Sequence, residues 1–107
     1  MTEIHIIATL RPVVGKEDQL RDILSRTAGN VTHKESDCLT FLLTETRDPR
    51  EGLVFKVIER WTSQEALMRH HDRDWLQAMY RAFEDEQLLV EPEHIEYLSL
   101  ISGFAAR

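Results

Sequence analysis

The stretch Leu53–His71, LVFKVIERWTSQEALMRHH, carries a β pattern directly into a helix start. Leu53, Phe55, Val57, Glu59 and Trp61 alternate with Val54, Lys56, Ile58 and Arg60, so a period of two sets a carboxylate and an indole on a mainly apolar strand face. Thr62 or Ser63 is the expected helix cap, and Glu65, three residues after Thr62, would complete a capping box. Ala66, Leu67 and His70 then follow at helical spacing. Glu59, Trp61 and His70 are therefore expected around one internal cavity at the strand-to-helix junction.

Outward from this junction the chain divides into short, well-punctuated elements. Ile4, Ile6, Ala8 and Leu10 alternate with polar and aliphatic neighbours in a first strand that ends at Pro12. After the Gly15 turn, Leu20, Ile23, Leu24, Thr27, Ala28 and Val31 mark an amphipathic helix, weakened at Gly29-Asn30 and ended by the polar HKESD segment. Leu39–Thr46 reads as a second strand, joined through RDPREG to the Leu53–Trp61 strand in a hairpin. Asp72 or Asp74 is positioned to cap a further helix with the apolar stripe Trp75, Leu76, Met79, Tyr80 and Phe83, and after Pro92 a last strand is expected over His94–Ile101. The order β-α-β-β-α-α-β is that of an α+β, ferredoxin-like split βαβ sandwich, in one domain spanning residues 1–107. Helices cover one face of such a sheet, yet the strands carry aliphatics on both, as at Ile4/Ile7, Leu42/Leu43 and Val57/Ile58. A homodimer packed sheet to sheet would bury the second face.

Composition narrows the partners. The 107 residues carry 13 Lys plus Arg against 19 Asp plus Glu, a formal charge of −6, with no basic stripe, which argues against nucleic acid. No apolar run approaches the length of a membrane span, and MTEIHIIATLRP reads as a strand and not as a secretory signal. The single cysteine, Cys38, excludes an internal disulfide framework and fits a cytoplasmic setting, as a small residue at a strand entry.

Among residues capable of chemistry, His70 leads, because an imidazole exchanges a proton near neutrality. A histidine satisfied by helix-end carbonyls is the structural counterpart of that reading. Trp61 is either a flat pocket wall or a core anchor. Glu59 is placed to hold His70 in one tautomer, to be raised in pKa by its apolar neighbours, or to pair with Arg69 or Arg81. His71 falls about 100° around the helix from His70 and is expected in solvent. The five histidines are dispersed and the adjacent pair does not share a helix face, so no metal site is expected; no glycine-rich phosphate cradle follows a strand, so no cofactor is expected either.

The run from Glu59 to His70, ERW-T-S-Q-E-A-L-x-x-H, resembles the antibiotic biosynthesis monooxygenase family, and the similarity extends from Ile4–Leu20 through Asp37–Phe41 to Trp75–Phe83. The resemblance implies a dimeric α+β barrel and places the family's histidine at His70. Glu59 and Trp61, on the strand face beside it, complete the expected catalytic group, and Phe41, Phe55 and Tyr80 are the expected substrate-binding residues, Tyr80 either offering its hydroxyl to a substrate oxygen or packing its ring in the core. The resemblance further implies a cofactor-independent oxygenase whose partners are a small aromatic, phenolic or quinol-type substrate and dioxygen. The haem-degrading branch of the family uses a first-strand asparagine and a later helical histidine, where this chain has Ala8 and Met79, so haem breakdown is disfavoured. Family members often follow the histidine with another His-aromatic pair, and here that place reads Asp74-Trp75-Leu76. The alternative from another class is a non-catalytic small-molecule-binding or stress-associated dimeric barrel protein.

Overall fold

The computed structural model describes residues 2–50 and 52–107. Strands β1 (Ile4–Leu10), β2 (Cys38–Asp48), β3 (Gly52–Trp61) and β4 (His94–Leu98) form one antiparallel sheet in the order β2-β3-β1-β4. Helices α1 (Glu17–Lys34), α2 (Gln64–His71) and α3 (Asp74–Asp85) complete the ferredoxin-like α+β arrangement. No helix is long and apolar enough to cross a membrane.

Several local expectations need correction. Helix α1 runs through Gly29-Asn30 and ends at Lys34, within the HKESD segment as expected, held there by Val31, which is 2% exposed and packs against Trp61 and Leu67. Burying that side chain offsets the roughly 1 kcal/mol that a mid-helix glycine costs. The cap of α2 is Ser63, whose Oγ accepts from Ala66 N at 3.1 Å; three residues on stands Ala66, so the capping box does not form and Glu65 only complements the helix dipole. Neither Asp72 nor Asp74 caps α3, since its N-cap is Arg73 and Asp74 is already inside the first turn. Strand β4 stops at Leu98 and not Ile101, because Leu98 pairs with His5 and β1 begins one residue earlier.

Register decides which side chains meet. Ile6 lies opposite Glu59 and Ala8 opposite Val57 on the helix-covered face, while Phe41 and Leu43 join the same rows from β2. Two buried clusters result. One joins Ala8, Leu10, Phe55 and Val57 to α1 and α3; the other gathers Ile6, Val31 and Trp61 under Ala66 and Leu67 of α2. Phe41, Trp75 and Ile95 pack against both, so they mark the seam between them. On the opposite sheet face Ile7, Ile58 and Leu42 stand in one row, with Ile58 39% and Leu42 55% exposed.

Candidate active site

The seam between the two clusters contains a small cavity of about 20 Å³ bordered by Phe41, Val57, Glu59, His70, His71, Tyr80 and Glu93, with Ile6, Leu76 and Met79 among its apolar walls. β3 delivers Glu59, the last turn of α2 delivers both histidines, α3 supplies Tyr80, and Glu93 enters just before β4.

His70 is the most constrained of these groups. Its ring centroid is 4.5 Å from that of Trp61, 5.9 Å from Trp75 and 6.1 Å from Phe41, so three aromatic rings frame the imidazole. Its Nδ1 lies 2.6 Å from Oε2 of Glu35, the C-cap residue of α1. With the carboxylate accepting, Nδ1 carries the proton and Nε2 keeps the lone pair that a base needs. Burial lowers the pKa of His70, and the Glu35 hydrogen bond and charge pull the other way. Arg73 approaches the second oxygen of Glu35, Nε to Oε1 at 3.4 Å.

Glu59 therefore does not hold His70; Glu35 does. Glu59 instead accepts a 2.9 Å hydrogen bond from Trp61 Nε1. Burial pushes its carboxyl up to about 7, with the Trp61 bond acting in the opposite sense and the charges of Glu93 and Glu35 adding to the rise. The pairing with Arg69 is not found, because Arg69 Nη2 bonds Asp37 Oδ2 at 2.8 Å. Trp61 is completely buried and backs His70 and Glu59 without itself lining the cavity. Phe41 and Tyr80 line it, but Phe55 does not: it is 1% exposed in the larger cluster, with the Arg21 guanidinium 5.5 Å from its ring centre. His71, expected in solvent, is half-buried at the cavity wall, because α2 ends against α3 and Gln77 bonds the His71 carbonyl at 2.6 Å.

Two cavity carboxyls and a phenol thus share a poorly solvated space. Tyr80 Oη donates to Glu93 Oε1 at 2.9 Å, and burial raises the pKa of both groups. Glu35 and Glu93 were not singled out by sequence reasoning. Glu35 carries one signal, since a carboxylate at a helix C-terminus opposes the helix dipole and calls for a compensating partner. Cys38 stays outside the cavity lining, at the start of β2; burial, the largest cause, pushes its thiol up to about 12.

The sequence profile of the antibiotic biosynthesis monooxygenases matches residues 3–82. The chain belongs to that family. Solved structures agree across nearly the whole length. A candidate antibiotic biosynthesis monooxygenase of Caulobacter crescentus CB15 superposes with a TM-score of 0.81 at 29% identity, covering 94% of this chain and 91% of that one. PA3566 from Pseudomonas aeruginosa gives 0.79 at 26% identity, covering 95% and 97%. Rv0793 from Mycobacterium tuberculosis, at 21% identity, shares the fold with a TM-score of 0.81 over 97% of this chain and 100% of its own. No protein of curated function matches the sequence. The antibiotic biosynthesis monooxygenase profile takes in β1 through most of α3, and so includes Glu35, Glu59, Trp61 and His70 but not Glu93.

Proposed function

We propose that the protein is a cofactor-independent monooxygenase that oxidises a small phenolic or quinol-type ring with dioxygen, using His70 as its base. The observation that carries this reading is the buried Glu35–His70 pair: a 2.6 Å contact at Nδ1 leaves Nε2 with the lone pair of a proton acceptor, on a residue that lines a small, mainly apolar pocket. Deprotonating a phenol whose hydroxyl alone reaches this small space, its ring staying outside, puts negative charge on the ring. The phenolate passes one electron to dioxygen, and the radical pair joins at the para carbon as a peroxide, which is protonated by the imidazolium. Loss of water, with departure of the hydrogen on that carbon, leaves a quinone. One oxygen atom enters the ring and the other leaves as water, so dioxygen is the oxidant and the substrate supplies all the electrons. Glu59 and Trp61 act beside this base, Glu59 as a carboxyl that burial keeps partly neutral near pH 7.

The working unit in this proposal is a homodimer. The row Ile7, Ile58 and Leu42 on the uncovered sheet face supports it, because a second sheet would remove this apolar surface from water. A cytoplasmic setting agrees with the lone thiol of Cys38.

The test is oxygen uptake by metal- and flavin-free protein with a panel of quinols and phenols, after subtracting autoxidation. Wild type should consume oxygen, and His70→Ala should lower the rate by roughly 10²- to 10⁴-fold, the range for loss of a positioned base. Binding without turnover would favour the non-catalytic alternative, and equal rates in both proteins would remove His70 as the base.

A further inference from the structure

The cavity beside His70 is about 20 Å³, room for one water molecule and not for an aromatic ring. Outside it lies an open groove of about 900 Å³ between the end of α3 and the segment leading into β4. Val13, Phe83, Leu89, Val90 and Pro92 make its apolar walls, and Glu84 and Glu91 stand exposed on its rim. Among the described residues, the two that line both the groove and the cavity are Tyr80 and Glu93. They are also bonded to each other, Tyr80 Oη to Glu93 Oε1 at 2.9 Å. One side-chain hydrogen bond thus stands in the partition between a large outer space and the small inner one.

The segment carrying Glu93 is tied by backbone pairing on either side and, between those anchors, by the Arg11–Glu91 ion pair, Nε to Oε1 at 3.0 Å. Val13 N donates to Leu88 O and Val90 N to Arg11 O, each at 2.9 Å, and His94 pairs with Thr9 at the start of β4. Between those anchors Pro92 has no backbone N–H to give. The Tyr80 ring meets Phe83 edge-on at 5.8 Å, so its swing would be toward the groove's own apolar wall.

We propose that the groove is the substrate's entry and binding site, and that Tyr80 is a placeholder which an uncharged phenol displaces from Glu93 on its way to His70. A phenol offers Glu93 the same O–H donor that Tyr80 now supplies, so the exchange conserves the hydrogen bond, while an ether of the same ring cannot make it. Glu91 is paired with Arg11 at 3.0 Å, so the charge on the rim that disfavours anionic rings is that of Glu84. The proposal rests on the functional reading above only for the identity of the group beyond the gate.

Binding of 1-naphthol, 1-methoxynaphthalene and 4-hydroxynaphthalene-1-sulfonate, followed by ligand fluorescence, tests it without turnover. Wild type should favour 1-naphthol over both others. Tyr80→Phe frees Glu93, so 1-naphthol should bind roughly 3- to 10-fold tighter, the scale of one hydrogen bond, while 1-methoxynaphthalene is unchanged. Tightening of both ligands would point to added space alone and overturn the placeholder. Val13→Trp with Val90→Trp, at positions 91% and 61% exposed, fills the groove without touching the core and should abolish binding. A folded double variant that binds 1-naphthol as wild type does, or no binding by wild type and Tyr80→Phe at millimolar probe, overturns the proposal. The functional reading fails separately, if naphthol binds as described but no oxygen is consumed with any quinol.

Discussion

Glu35 Oε2 and His70 Nδ1 meet at 2.6 Å across 35 residues of sequence, tying the end of α1 to the end of α2. Glu35 raises the pKa of His70 against the lowering effect of burial. If His70 acts as a base, kcat/KM rises with pH as the imidazole loses its proton, giving an acid limb below the usual 6.5. Glu35→Gln removes the raising influence, so the limb should move to lower pH while the plateau rate falls by roughly 10- to 100-fold, less than on loss of the base itself. A pH–rate profile of both proteins checks it, and an unmoved limb would show that Glu35 does not act through His70.

Glu59 gives a stability prediction of opposite pH sense. Its folded pKa is raised from 4.5 to about 7, so the neutral carboxyl is favoured in the fold; its contribution is fully present below pH 4.5 and is lost as pH rises through 7. Glu59→Gln keeps an acceptor for Trp61 and removes the titration. The variant should therefore gain stability relative to wild type between about pH 5 and pH 8, by at most roughly 3 kcal/mol. Urea unfolding at the two pH values measures the difference.

The uncovered sheet face gives a third expectation. Ile58→Lys with Leu42→Lys places two charges in the middle of the Ile7–Ile58–Leu42 row, at positions already partly exposed in the protomer. Sedimentation velocity should show a dimer for wild type and a folded monomer for the double variant. A wild type that is monomeric at micromolar concentration would contradict the proposed assembly.

Gln87 adopts φ 51° at the end of α3, with its N–H bonded to Glu84 O at 3.2 Å and Leu88 N bonded to Phe83 O at 3.0 Å. This is the helix-ending motif in which glycine is usual. Gln87→Gly should raise stability by about 1 kcal/mol, since the left-handed region penalises a Cβ by that order. Thermal melts of the two proteins measure it.

The architecture was legible because its signals are local. Alternation in Ile4–Leu10 and Leu53–Trp61, and the 3.6-residue stripe of Leu20, Ile23, Leu24, Thr27 and Val31, each report on one element. The cavity was half legible for the same reason. Glu59 and His70 flank one junction and do border it, as do Phe41 and Tyr80 from the elements packed there. Glu35 and Glu93 lie in segments whose side-chain directions depend on how separate elements pack, and no periodicity reports that. Phe55 has the right strand parity, but it lies beyond Val57 on the side away from Trp61 and joins the α1 side chains of the larger cluster.

The sheet order has a consequence for how the chain reaches this structure. β1, the first strand in sequence, is interior, with Ile6 opposite Glu59 on one side and Tyr97 on the other. The β2–β3 hairpin closes through a short turn, whereas both partners of β1 arrive much later in the chain. Loop closure across such separations is slow compared with hairpin formation, so the hairpin is expected to form early and β4 to dock late, an order that φ-values at β2–β3 and at β4 would test. Glu93, next to β4, would on that order be among the last groups to take its place, completing the wall between groove and cavity.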